Sequence, residues 1–161
     1  MIPLAVMLLA WGVFRVLGAI GLRSAGTTAG ALRYALAVMF MFTAAAHFLP
    51  NMRPDMIRMV PPGLPSPDVL VTVTGLLELA GAIGLLVPAT ATLAAWCLIA
   101  LLVALFPANV YAAQAGLEFA GRAATPLVWR LPLQLFWIAA LWWVGRHARR
   151  TRASEAAPVV A

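Results

Sequence analysis

Lysine is absent from this 161-residue chain, and Cys, His and acidic residues are scarce: one cysteine, two histidines and five acids. Each scarcity excludes something. Cys97 alone cannot close an intrachain disulfide or form a CxxC redox pair. Its place in an apolar stretch is that of a small buried or lipid-facing residue. So few His, Cys and acidic side chains cannot supply a haem pair or an iron–sulfur cluster. His47 and His147 fall on opposite flanks of the apolar runs, so no two-histidine metal site is expected. There is no GxGxxG, no Walker loop and no HExxH. Charge is thin throughout, at 10% of residues, where a soluble domain carries about 25%. A soluble fold would have too few polar side chains to cover its surface.

What is present in excess is apolar sequence, 64% of the chain, with a mean hydropathy of +0.97. It is gathered into five runs. The first, Met1 to Leu22, is broken only by Arg15. It has no basic residue before Arg15 and Pro3 near its start, so it is expected as a retained transmembrane helix rather than a cleaved signal peptide. A small-residue linker, Arg23 to Gly30, leads to a second run, Leu32 to Leu49. The loop from Pro50 to Pro67 holds Pro54, Pro61, Pro62 and Pro65, which remove donors and stop helices. Met56, Ile57, Met59 and Val60 within it predict a short amphipathic piece at the interface. The third run, Val69 to Val87, is expected to be capped by Asp68, and Pro88 and Thr90 mark a tight turn. The fourth spans Ala91 to Ala113, with Pro107 near its end. After a loop over Gln114 to Thr125, the fifth covers Leu127 to Gly145, and Trp142 and Trp143 mark a membrane exit. The tail after Arg152 is expected to be disordered. Each run is of the length, about 17–23 residues, that carries a helix across roughly 30 Å of hydrocarbon. None alternates polar and apolar residues as a barrel strand does. No internal repeat and no pair of broken transporter-type helices is visible.

All eleven basic residues are arginines, and the formal charge is +6. The arginines are scattered between apolar runs, which argues against nucleic acid. The densest group, Arg146, Arg149, Arg150 and Arg152, directly follows the fifth run, the pattern of a cytoplasmic flank beside anionic headgroups. With the N-terminus outside, Arg23, Arg33 and this cluster lie inside, and Arg53, Arg58, Arg122 and Arg130 outside.

Ionisable groups in a bilayer need a partner or a purpose. Glu78 lies about ten residues into the third run, hence near mid-membrane at about 1.5 Å per residue. Gly75, Gly81, Ala82 and Gly84 around it allow close helix approach, so this face is expected against protein. Glu78 either does chemistry or ties helices by a structural hydrogen bond. His47, with Thr43 one turn earlier, ends the second run. Glu78 leans toward its own N-terminus, hence toward His47, and a His–carboxylate pair can move protons or simply satisfy itself. Arg15 matches Glu78 in depth and is either its counter-ion or a snorkelling arginine. At the outer rim, Asn109, Arg53, and the pair Arg130 and Gln134, which share a face at i,i+4, form a polar mouth or interfacial anchors. Trp96, Trp129 and Trp137 are expected as packing or belt residues.

The order LRYALAVMFMFTAAAHFLP, MVPPGLPSPDVLVTVTGLLELAGAIGLLVPAT, AAWCLIALLVALFPANVYAA and WRLPLQLFWIAALWW, over Leu32 to Gly145, resembles the DoxX family of small bacterial membrane proteins. The matching motifs are His47–Phe48, the MVP at Met59 to Pro61, TGLLELAG around Glu78, and FPAN at Phe106 to Asn109. The resemblance implies an all-α membrane protein: a four-helix transmembrane bundle over residues 32–146, one extra N-terminal transmembrane helix over 1–22, and an Arg-rich cytoplasmic tail over 147–161. It also implies a bacterial inner-membrane setting and a quinone-interacting component of a membrane oxidoreductase, with a membrane or soluble redox partner. In that reading Asn109, Arg130 and Gln134 hold a quinone headgroup, with Arg15 as a further cationic contact, and Glu78 and His47 exchange protons with it. The alternative is non-enzymatic: a small-solute carrier, or an accessory subunit that stabilises a membrane complex.

Overall fold

The computed structural model describes residues 2–119, 121–123 and 125–156. Among the described residues the regular structure is helical apart from one short hairpin. The helices are α1 (Ile2–Ala19), α2 (Thr28–Ala46), α3 (Arg53–Arg58), α4 (Pro67–Leu86), α5 (Ala91–Gln114) and α6 (Leu127–Ala156). All but α3 are long and apolar enough to cross a membrane, α6 over Leu127–Arg152. Large apolar side chains point outward on them, among them Leu9, Leu93 and Val128, each at least 66% exposed. Water would oppose such a surface and lipid accepts it. The chain is therefore read as a multi-pass membrane protein.

Helix α2 is the hub. It packs against α1, α4 and α6, while α5 packs against α4 and α6. The contacts thus run α2–α4–α5–α6 and return to α2, with α1 outside this circuit. The core inside it is built from Leu36 and Phe40 of α2, Leu85 of α4, Leu98 of α5, and Leu141 and Val144 of α6. From α1, only Met7 and Ala10 are buried, and Phe14 stacks on Tyr34 at 5.0 Å between ring centres.

Several boundaries differ from the sequence expectation. Helix α2 begins at Thr28, four residues early, because Thr27 caps it by accepting from the Gly30 amide. A single 3-10 turn, Arg23–Ala25, occupies the expected linker. Asp68 does not cap α4. It lies in the first turn after Pro67, and the cap position is Ser66, held at φ 48° between two prolines. That is a left-handed conformation a side chain resists. The proline-rich loop does contain the short helix, α3, with Met56, Ile57, Met59 and Val60 half-buried. The second loop holds a two-residue antiparallel pairing of Glu118–Phe119 with Arg122–Ala123. Helix α6 runs on through the arginine cluster to Ala156, so most of the expected tail is helical. Ala and Arg are good helix formers, and nothing before Ala156 breaks the run. The remainder of that tail, 157–161, lies outside the described residues.

Candidate functional site

The polar residues expected to carry function fall into two groups. The first lies between α2 and α4. Along α4, Val71, Gly75, Glu78, Ala82 and Leu85 are buried and recur at spacings of three and four, a single inward stripe. Facing it on α2 are Leu36, Phe40, Thr43 and His47, at the same spacing. Gly75 makes the approach possible. A Cβ there would lie 2.6 Å from His47 Cβ and 2.8 Å from His47 Cγ. The imidazole fills the space that any larger residue would take.

Glu78 and His47 are both buried, at 8% and 5% exposure. His47 Nε2 lies 3.3 Å from Glu78 Oε2, and Glu78 Oε1 is hydrogen-bonded to the Thr43 hydroxyl. His47 Nδ1 lies 2.8 Å from the Val71 carbonyl oxygen. A carbonyl only accepts, so Nδ1 carries a hydrogen and donates it. Nε2 is left facing Glu78 Oε2, a contact across which a proton can pass without backbone motion.

Arg53 closes the His47 end of this group. It donates to the His47 carbonyl at 2.9 Å, to the Asp68 carbonyl at 3.0 Å and to Thr72 Oγ1 at 2.9 Å. The first of these is a carbonyl at the C-terminus of α2, where no intrahelical donor exists. Arg53 therefore locks the end of α2 to the start of α4.

The second group joins α5 and α6. Arg130 is hydrogen-bonded to the Asn109 side-chain oxygen. Gln134, only 6% exposed, donates to the Leu102 carbonyl at 2.8 Å. Pro107 inside α5 cannot donate to the carbonyl four residues back, so the helix is loosened next to this contact. Trp137 follows on the same face of α6, at i+7 from Arg130. Its indole Nε1 is buried with no acceptor among the described residues.

Sequence reasoning brought together His47, Glu78 and Thr43, and Arg130 with Asn109. It did not bring Arg15 to its place. Arg15 is exposed and donates to the Gly26 carbonyl at 3.1 Å, tying α1 to the turn after it. Helix α1 lies against α2, not α4, so matching depth did not make Arg15 the counter-ion of Glu78. Arg53 serves the α2–α4 joint rather than a mouth shared with Arg130. Three contributors were missed. The Val71 carbonyl carries no side-chain signal at all. Thr72 was legible only as a hydroxyl next to Val71, in the first turns of α4. Trp137 shares an i,i+3 face with Gln134, a spacing that was there to read.

A family model described as Domain of unknown function (DUF8561) matches residues 36–145, about two thirds of the chain. The chain belongs to this DUF8561 family. The matched stretch begins in α2 and ends in α6, so it takes in both polar groups and leaves α1 outside. No curated protein and no solved structure matches the chain.

Proposed function

We propose that this DUF8561 protein is a DoxX-type component of a bacterial inner membrane that exchanges a proton with a quinone-like headgroup. In this reading α2, α4, α5 and α6 form a four-helix transmembrane bundle and α1 is an added fifth span. The N-terminus lies outside and the arginine-rich end of α6 in the cytoplasm, as the clustering of Arg146, Arg149, Arg150 and Arg152 favours. The observation that carries the reading is the buried contact of His47 Nε2 with Glu78 Oε2, with Nδ1 committed to the Val71 carbonyl. A buried His–carboxylate pair is a proton donor and acceptor in one unit.

The residues fit a quinone in one further respect. The Trp137 N–H is a buried donor lacking an acceptor among the described residues, and a quinone carbonyl oxygen is an acceptor that needs a donor. Arg130, Asn109 and Gln134 would hold the headgroup beside it. When bound, a quinone would supply two-electron, two-proton redox chemistry together with a partner oxidoreductase subunit. The contribution of this chain is to bind, orient and carry the proton.

The test is native mass spectrometry of the protein extracted in mild detergent. A quinone mass retained by the wild type and lost in both Glu78→Gln and Trp137→Phe supports the reading. A bare protein that also fails to take up added ubiquinone or menaquinone sinks it. A second reading, an accessory subunit, is favoured by a specific observation: the bonds of Glu78, His47 and Arg53 join α2 to α4 and so also act as a clamp. Co-purification of a partner protein with no small ligand, and unchanged activity of Glu78→Gln, would favour that reading instead.

A further inference from the structure

At the other end of α2 a cavity of about 360 Å³ opens between the 3-10 turn, the first turns of α2 and the last turns of α6. Three arginines line it, Arg23, Arg33 and Arg152, together with His147 and the hydroxyls of Thr27 and Thr151. Among the described residues no acidic side chain lines it. The arginines come from three separate elements, and Gly30 lets the turn sit directly on α2, because a Cβ there would collide with the Ser24 carbonyl.

Arg33 departs from an ordinary membrane flank. A flanking arginine snorkels and keeps its head wet. Arg33 is 8% exposed, and its Nε is buried without an acceptor among the described residues. Its polar contacts are a hydrogen bond from Nη2 to the Tyr34 hydroxyl at 3.1 Å and the Tyr34 ring, 4.9 Å from Cζ. Neither neutralises its charge. A buried guanidinium without an anion is costly. The cavity wall also includes Ala29 of the first turn of α2, whose amide has no intrahelical acceptor, at the positive end of the helix dipole.

We propose that this cavity binds a phosphate group, with Arg33 at its base and Arg23 and Arg152 at its rim. Forked guanidinium donors, hydroxyls and a helix N-terminus are the set that holds tetrahedral phosphate oxygens. The phosphate belongs either to an anionic phospholipid entering from the membrane surface or to a free phosphate. The site sits at the opposite end of α2 from His47 and stands independently of the proton reading.

The experiment titrates the full-length protein in mild detergent with phosphatidylglycerol, phosphatidylcholine or inorganic phosphate, reading bound adducts by native mass spectrometry and stability by thermal melting. One-to-one retention of phosphatidylglycerol over phosphatidylcholine identifies the lipid as the source. A melting shift with millimolar inorganic phosphate alone identifies free phosphate. Either requires that Arg33→Gln and Arg152→Gln each weaken binding by about tenfold, the size of one lost charge-assisted bond. Arg149→Gln removes the same charge from an exposed position outside the cavity and should change binding less than about twofold. Should Arg33→Gln fail to fold, Arg152→Gln against Arg149→Gln decides alone. Equal losses from those two would mean a diffuse charged surface and overturn the site, as would no binding of any of the three probes.

Discussion

Replacing Gly75 with alanine puts a methyl group where the His47 ring lies. The new Cβ falls 2.6 Å from His47 Cβ and 2.8 Å from its Cγ. Unbonded carbons settle at about 3.5–4.0 Å, so one side must retreat by roughly 1 Å. The ring has little freedom to do so, being held by the Val71 carbonyl on one nitrogen and by Glu78 on the other. If α2 withdraws instead, the 2.8 Å bond to Val71 opens to roughly 3.8 Å, beyond hydrogen-bonding range. Overpacking costs about 1–3 kcal/mol. A hydrogen bond between membrane helices is worth about 0.6 kcal/mol on average. The two are alternatives rather than a sum, and alanine regains up to about 1 kcal/mol of helix propensity. Overpacking less that full regain leaves an expected net loss of about 0–2 kcal/mol, and a loss of about 1–3 kcal/mol relative to a Gly→Ala change in open space. Gly12→Ala is the matched control, because a Cβ there meets nothing within 4 Å. It should be neutral or gain up to about 1 kcal/mol. Both are read by reversible unfolding in mixed micelles, titrating a denaturing detergent and following tryptophan fluorescence. If Gly75→Ala is as stable as Gly12→Ala, α2 and α4 do not approach as closely as described, and the geometry of the His47–Glu78 pair is wrong with it.

Other outcomes follow from the same contacts. Glu78→Gln should stay within about 1 kcal/mol of wild type, because the amide can donate to His47 Nε2 and accept from Thr43, whereas Glu78→Leu should lose about 1–3 kcal/mol in the same unfolding assay. In Glu78→Gln the His47 ring should be the neutral Nδ1-protonated tautomer, read by ¹⁵N NMR shifts of the imidazole; a protonated Nε2 would contradict the assignment of Nδ1 to Val71. Arg53→Ala frees the His47 and Asp68 carbonyls and Thr72, and should speed amide exchange around 47–53 and 67–72 while leaving α5 and α6 protected. Trp137→Phe removes a buried donor that has no acceptor, so purified ligand-free protein should be as stable as wild type or slightly more so; a loss above about 1 kcal/mol would mean the indole N–H has a partner.

Much of this was legible along the chain, and particular residues show why. The small residues around Glu78 announced a face packed on protein, and the i,i+3/i,i+4 stripe from Val71 to Leu85 follows directly from helical periodicity. His47 and Glu78 were paired by depth and by the lean of helical side chains. Arg15 was misplaced by the same reasoning, because depth says nothing about which helices are neighbours. The start of α2 was read late, because Thr27, Thr28 and Gly30 look like a linker until the cap bond is seen. The end of α6 was read early, because an arginine cluster marks a membrane boundary without ending a helix.

Composition alone determined that this is a chain of apolar helices long enough to cross a bilayer, since lipid requires helical length and apolar side chains and those are counted directly. It also determined which few polar residues had to find partners. Tertiary structure alone decided who those partners are. The order of helices around α2 sets Arg15 against Gly26 rather than Glu78. The Val71 carbonyl assigns the His47 tautomer, and a backbone atom has no identity in a sequence. The cavity around Arg33 exists because the end of α6, more than a hundred residues away, closes over the turn and the start of α2, and only that packing leaves the Arg33 Nε without an acceptor among the described residues.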